Sequence, residues 1–214
     1  MTIGRFITIE GPDGAGKSTL ARALNERFSA AGIPTLLTRE PGGSEIGSQV
    51  RDILLHGGSL DVWTEAFLFL ADRRQHCKNV IRPALEQGTW VLCDRFTDST
   101  LAYQGYAAGA DLEVLRQLNH VATGGLTPDL TLLLDLPPEI ALARLDDLNR
   151  LDRMPLEFHI SVREGFLQEA KQDHERWRVI DATQSPQRIL ELATLKIAMA
   201  LGIEAILAAG GDLP

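Results

Sequence analysis

Short apolar runs alternate along the chain with longer stretches in which apolar residues recur every three or four positions. The runs at Phe6-Ile7-Thr8-Ile9, Thr35–Arg39, Trp90-Val91-Leu92-Cys93, 130–134 and 177–180 predict five strands. Residues 130–134 are almost uniformly leucine, which suits a strand covered on both faces. Leu20, Leu24 and Phe28 mark a first helix that stops at Gly32, with Pro34 just beyond. Ser44 predicts the cap of a second helix carrying Ile46, Val50, Ile53 and Leu54 and broken by Gly57-Gly58. Phe67, Leu70, Val80 and Ile81 predict one long helix over 63–85, kinked or restarted at Pro83 and ended by Gln87-Gly88. Two further helices are expected over 98–106 and 111–122, split by a loop at 105–110. Pro137-Pro138 starts another, 148–155 reads as a loop or mobile segment, and 158–176 is helical. After the last strand, 181–184 is an exit loop and Ser185 opens a terminal helix. This alternation predicts an α/β fold: a parallel sheet with helices on both faces, in one domain over 1–214.

Composition narrows the partners. The 214 residues carry a formal net charge of −8, so no global basic field attracts nucleic acid. An anionic ligand must be held by local cations, and 17 of the 21 basic side chains are arginines, whose planar forks suit phosphate oxygens. Cys77 and Cys93 form no C-x-x-C pair and read as buried, reduced thiols of a cytoplasmic protein. No signal-peptide pattern is visible. The apolar 197–209 stretch, bounded by Lys196 and interrupted by Glu204, is too short to span a membrane and reads as a packed helix.

The most informative stretch is Gly11-Pro12-Asp13-Gly14-Ala15-Gly16-Lys17-Ser18-Thr19, which fits G-x-x-x-x-G-K-[ST] between a predicted strand and a predicted helix. Glycines let backbone N–H groups curl around an anion, and the following helix adds its positive end. Lys17 would reach the terminal phosphates of ATP, and the Ser18 hydroxyl would sit on Mg2+. Asp94-Arg95 follows an apolar strand, where an acidic residue can hold the magnesium shell and an arginine can grip phosphate. Ligands of such sheets bind beyond the carboxyl ends of the strands, where Gly11–Ser18, Arg39, Asp94-Arg95, Asp135 and Asp181 all fall.

With these motifs in view, the chain resembles the bacterial thymidylate kinases. The likeness runs from Phe6 to about Pro186 and is carried by Gly11–Thr19, Thr-Arg-Glu-Pro-Gly-Gly at 38–43, Phe69 to Arg73, Asp94-Arg95-Phe96, Ser-Thr-Leu-Ala-Tyr-Gln at 99–104, Pro128–Asp135, Leu151-Asp152-Arg153 and 180–183. The resemblance implies a P-loop fold with a five-stranded parallel core, a lid at about 144–157, a homodimer, and ATP- and Mg2+-dependent conversion of dTMP to dTDP. It implies that the 11–19 loop, Arg144, Asp181 and Thr183 hold ATP. It implies that Asp13 contacts the sugar 3′-hydroxyl, that Arg39, Arg51, Arg73 and Arg95 surround the acceptor phosphate or base, and that Phe69 stacks on thymine. Ser99, Thr100, Tyr103 and Gln104 would lie along the base and deoxyribose. In the lid, Asp146 and Leu148 stand where cations are expected; Arg153 is then the foremost lid cation and Arg150 the second, with Lys17, Arg95 and Asp13 completing the catalytic set. The phosphate loop alone leaves open another nucleoside or nucleotide kinase of this fold, or a nucleotide-binding module without activity. For Arg22, Arg27, Arg116 and Arg188 a solvated helix face is the expectation.

Overall fold

In the computed structural model, which describes residues 4–203, five parallel strands form one sheet: β1 (Phe6–Glu10), β2 (Thr35–Arg39), β3 (Trp90–Asp94), β4 (Leu130–Asp135) and β5 (Trp177–Asp181), in the spatial order β2-β3-β1-β4-β5. The strands alternate their side chains between two buried faces. Ile7, Ile9, Leu92, Leu130, Leu132 and Leu134 pack on α1 (Lys17–Ala30) and α9 (Pro186–Leu201) through Leu20, Leu24, Phe28, Ile189 and Ile197. Phe6, Val91 and Cys93 turn the other way, onto Cys77, Ile81 and Leu85, while Leu133 meets Val162 and Phe166. Each fully buried side chain of this kind contributes about 1.5–3 kcal/mol. Double coverage explains the unbroken leucine run, because neither face of β4 meets water.

The remaining helices are α2 (Gly47–His56), α3 (Val62–His76), α4 (Arg82–Glu86), the single turn α5 (Thr97–Thr100), α6 (Leu112–Thr123), α7 (Pro138–Ala143) and α8 (Leu156–Gln172). Several differ from expectation. The 63–85 helix is three pieces: α3, a π-helical segment Cys77–Ile81, and α4, with Pro83 in the first turn of α4, where its missing N–H costs nothing. The helix expected over 98–106 changes after one turn into a second π-helical segment, Leu101–Ala107. Ser44 does not cap α2; its hydroxyl is used by Asp72, and the helix starts at Gly47. Helix α8 ends at Gln172, and Asp173–Arg176 forms a turn in which Asp173 caps the Arg176 N–H. Phe67, expected on the buried stripe of α3, is 55% exposed. Ser185 caps α9 as expected, accepting from the Arg188 N–H at 3.3 Å. That helix ends at Leu201, and the part of the 197–209 expectation from 204 on lies outside the described residues.

The strand register sets up the site. Ile9 pairs with Asp94, and Asp94 with Arg39, so the chain leaves β1, β3 and β2 side by side. Asp135 pairs with Asp181 on the other half of the sheet.

Candidate active site

The loop after β1 turns sharply enough to require glycine. Gly14 has φ +80°, and a Cβ there would lie 2.1 Å from the Ala141 carbonyl oxygen of α7. Gly16 caps α1 in the left-handed conformation at φ 92°. Lys17 is buried and folds back, donating from Nζ to Pro12 O at 2.8 Å with Asp13 Oδ1 at 3.6 Å. Burial, then the Arg95 guanidinium, lowers its pKa from the ordinary lysine value. Ser18 Oγ donates to Asp94 Oδ2 across the β1–β3 junction.

The next turn carries Arg95 at φ 71°, a left-handed conformation that a side chain adopts at a cost. Its surroundings compensate. Arg95 donates to Asp13 Oδ1 at 2.7 Å, Ser99 Oγ at 3.0 Å and Tyr103 Oη at 3.1 Å, and its guanidinium lies 5.0 Å from the Tyr103 ring centroid. Tyr103 Oη also donates to Asp13 Oδ2 at 3.2 Å. Burial works to raise the Asp13 carboxyl, but the charges of Arg95 and then Lys17 overcome it and hold the group well below the usual carboxylate range. Beneath this cluster Glu10, fully buried, accepts from Phe96 N at 2.8 Å and Ser99 Oγ at 2.6 Å. Burial, then the nearby Asp98 carboxylate, pushes Glu10 up to about 7.

These groups line a cleft of about 370 Å3, which brings together most of the residues expected at the site. The phosphate loop contributes Asp13, Gly14 and Gly16 to Thr19; β3 and the following turns contribute Asp94, Arg95, Ser99, Thr100, Tyr103 and Gln104; Arg39, Arg51, Phe69 and Arg73 close the far side. Gly11, Pro12 and Ala15 sit in the loop behind that lining, and Ala15 is buried in the core. Arg51 is half-buried and donates to Pro41 O at 3.0 Å; burial, then the guanidiniums of Arg39 and Arg95, lower its pKa from the usual arginine value. Arg39, Arg51 and Arg95 line the same cleft, and cations gathered in this way mark a place for an anion.

Arg73 is held far more firmly than its sequence position suggests. It is 1% exposed and donates to Glu40 Oε2 (2.8 Å), Thr100 Oγ1 (2.8 Å), Asn119 Oδ1 (2.6 Å) and Phe96 O (3.0 Å). Among the described residues four of its five N–H groups are thereby used, which leaves one on Nη2. Glu40 in turn accepts from or pairs with His76 Nδ1 at 3.0 Å, and His76 Nε2 meets Thr38 Oγ1 at 2.7 Å. Asp72 takes the Gly42 N–H and the Ser44 hydroxyl. The Thr-Arg-Glu-Pro-Gly-Gly stretch is thus a loop pinned from below by α3, with a cis bond at Glu40-Pro41.

Other expected residues lie outside the cleft lining. Arg144 donates to Ala182 O at 3.2 Å, beside the loop where Asp181 accepts from Thr183 N (2.9 Å), Thr183 Oγ1 (2.7 Å) and Gln184 Nε2 (2.9 Å). Arg153 is exposed, and among the described residues its side chain makes one hydrogen bond, to Leu148 O. Arg150 is paired with Glu65 and donates to Leu54 O at 3.1 Å. The 149–152 turn holds itself: Asn149 Oδ1 accepts from Leu151 N and Asp152 N, and Asp152 Oδ2 accepts from Asn149 N. Asp135, expected at the strand ends, is taken by a bidentate pair with Arg163 at 2.7 and 3.0 Å. Among the arginines expected on solvated faces, Arg116 instead bridges α6 to α8 through Glu169, Arg27 reaches Thr194 on α9, and Arg188 pairs with Glu191.

Glu10, Glu65 and Asn119 belong to none of the sequence motifs, and Glu40 enters only as part of the 38–43 stretch, with no role of its own. Glu10 offered one signal, an acid continuing an apolar strand directly into the phosphate loop; the burial of the others depends on partners far along the chain.

Ser18 and Asp94 are the oxygen donors available to a cation beside the loop. Two hard oxygens fit Mg2+, which keeps several waters and takes further ligands from substrate phosphates. No group of three or more His, Cys, Asp or Glu among the described residues forms a metal cage.

Comparison with known proteins adds a family. The thymidylate kinase family model matches residues 9–192. A thymidylate kinase of Desulfovibrio desulfuricans is 52% identical over 197 residues, covering 86% of this chain and 91% of that protein. One from Thermomicrobium roseum is 50% identical over 190 residues (87% and 90%), and one from Nitratidesulfovibrio vulgaris 48% over 209 residues (92% and 93%).

Proposed function

This chain belongs to the thymidylate kinase family, and we propose that its cleft is the place where the γ-phosphoryl group of ATP passes to dTMP. The reaction is the ATP-dependent phosphorylation of dTMP to dTDP. The observation that carries the assignment of residues is the Asp13–Arg95–Tyr103 triangle, which joins the phosphate loop to the turn after β3 at the floor of the cleft.

The nucleophile is a dTMP phosphate oxygen, already ionised near neutral pH, so no strong general base is needed. The task is to bring two anions into line and neutralise them. On this reading the donor phosphates lie on the 11–19 loop, with Lys17 turning from Pro12 O to the γ-phosphate. Arg39, Arg51 and Arg95 surround the acceptor phosphate. Asp13, kept ionised by Arg95 and Lys17, accepts from the sugar 3′-hydroxyl, and the Tyr103 ring stands where a 2′-hydroxyl would go. Half-buried Phe69 lies along the cleft wall for stacking, and Arg73 offers the base edge its one unused N–H. Ser99, Thr100 and Gln104 complete the nucleoside side. Arg144, Asp181 and Thr183 flank the adenine end. Mg2+ would be held by Ser18, with Asp94 directly or through water, and when bound supplies charge neutralisation across the phosphates.

The described residues read as one kinase domain in which 144–157 forms the lid, with Arg153 swinging in on closure. Exposed Phe67 on α3, and Val114 and Val121 on the adjoining α6, support association of two copies. Burial pushes Cys77 up to about 12 and raises Cys93 well above the usual thiol value, so both thiols stay protonated; two buried, unpaired cysteines support a cytoplasmic location. No helix among the described residues is long and apolar enough to cross a membrane.

A coupled ADP-release assay tests the whole reading. Release that requires both dTMP and Mg2+ is expected. Release independent of dTMP, or none with either, would overturn it.

A further inference from the structure

Glu65 stands in the first turn of α3, 6% exposed, with its two carboxylate oxygens committed to different parts of the molecule. Oε1 accepts from Gln104 Nε2 at 2.6 Å. Oε2 pairs with the Arg150 guanidinium of the lid. Arg150 is fixed further by its backbone N–H on Leu55 O at 3.2 Å and its Nε on Leu54 O, both near the end of α2. Gln104 is 1% exposed and lines the cleft, and its Oε1 is buried without a hydrogen-bond partner among the described residues.

An ionised carboxylate only accepts hydrogen bonds, so Gln104 must turn its NH2 toward Glu65. The flipped amide would set oxygen against oxygen in a buried place. Gln104 therefore presents a fixed, unused acceptor, and a buried acceptor left unpaired is costly until a donor meets it. Thymine carries a hydrogen on N3, whereas cytosine has a lone pair there.

We propose that Glu65 is a positioning residue that locks the amide of Gln104 in the orientation that accepts a pyrimidine N–H, and that its second oxygen ties the lid to the same pocket through Arg150. The inference rests on the reading that the cleft takes dTMP as acceptor. A base that satisfies Gln104 leaves Glu65 undisturbed to hold Arg150. One that opposes it pushes the amide against the carboxylate, and lid docking is weakened with it.

The test is the ratio of kcat/KM for dTMP to that for dCMP. Glu65→Gln keeps the volume but offers an amide that pairs with Gln104 in either orientation, so the ratio should fall at least about tenfold. Glu65→Asp keeps the charge but is one methylene short of reaching Gln104 and Arg150 together, and should lower the ratio as well, so it carries the test if the glutamine variant does not fold. In a Gln104→Leu background neither change should move the ratio further. A ratio unchanged in both single variants, with activity on dTMP retained, overturns the lock. A parent protein inactive on dTMP overturns instead the reading of the cleft.

Discussion

A carboxyl group at the inner end of β1 has no water around it to solvate a charge. Glu10 is 0% exposed, lies close to Asp98, and is drawn up to about 7, although Phe96 N, Ser99 Oγ and Arg95 all favour its ionised form. In the unfolded chain it loses its proton near 4.5. Stability carried by the protonated form is therefore intact below 4.5 and is lost as pH rises through 7, a difference of roughly 3 kcal/mol. Glu10→Gln cannot ionise; its amide oxygen can still accept from Phe96 N, while its NH2 would donate to Ser99 Oγ, reversing that bond. Calorimetry of the ligand-free protein from pH 5 to pH 8 should show the variant gaining on the parent by several degrees in Tm as pH rises; parallel profiles would contradict the assignment. The same burial explains what sequence reading misses at this scale. Lys17, Ser18, Asp94 and Arg95 stand in recognisable patterns, whereas Glu40 becomes intelligible only beside Arg73, 33 residues away.

At the scale of elements, periodicity located the strands and most helices but not their irregularities. A π-helical segment admits one extra residue without ending the helix, so the apolar pattern runs through Cys77–Ile81 and Leu101–Ala107 with no break to read. The second of these carries Tyr103 and Gln104, which places an irregular helix against the cleft. The irregular stretch after α7 was legible as a polar interruption, but the partners of its arginines were not. Arg153 is exposed with one backbone bond, free to reorient at small cost, while Arg150 would first have to leave Glu65 and Leu54 O. Arg153→Ala should lower kcat by about a hundredfold or more with little change in KM for dTMP, as expected for a contact made in the closed state. Arg150→Ala should instead disturb KM along with kcat, because it releases the lid from the acceptor pocket. Steady-state kinetics of the two variants checks this, and the reverse pattern would contradict the distinction.

At the scale of the whole molecule, strand order does most of the organising. Placing β1 between β3 and β4 sets the phosphate loop beside Asp94-Arg95, and pairing β3 with β2 adds Arg39 to the same edge. Alternating apolar runs and helical stripes made the parallel architecture legible, and the rule that ligands sit at the carboxyl ends of strands points to the edge where the structure has its candidate cleft. What remained hidden was the pinning of Arg73 and Gln104 by the buried acids Glu40 and Glu65, because acids of that kind look like surface residues in a chain of net charge −8. On the reading proposed above, this edge selects thymidylate, with Phe69 on the plane of the base, Gln104 at its edge and Tyr103 against the sugar. The most direct measurement is kcat/KM for dTMP, dUMP, UMP, dCMP and dGMP with ATP and Mg2+. dTMP should lead, and dUMP should follow by the 1–3 kcal/mol or so that one methyl contributes in an apolar pocket. UMP should fall well below dUMP because its 2′-hydroxyl meets Tyr103, and dCMP and dGMP should trail both deoxyuridylate and thymidylate. A preference for dCMP or dGMP, or equal use of UMP and dUMP, would contradict the account.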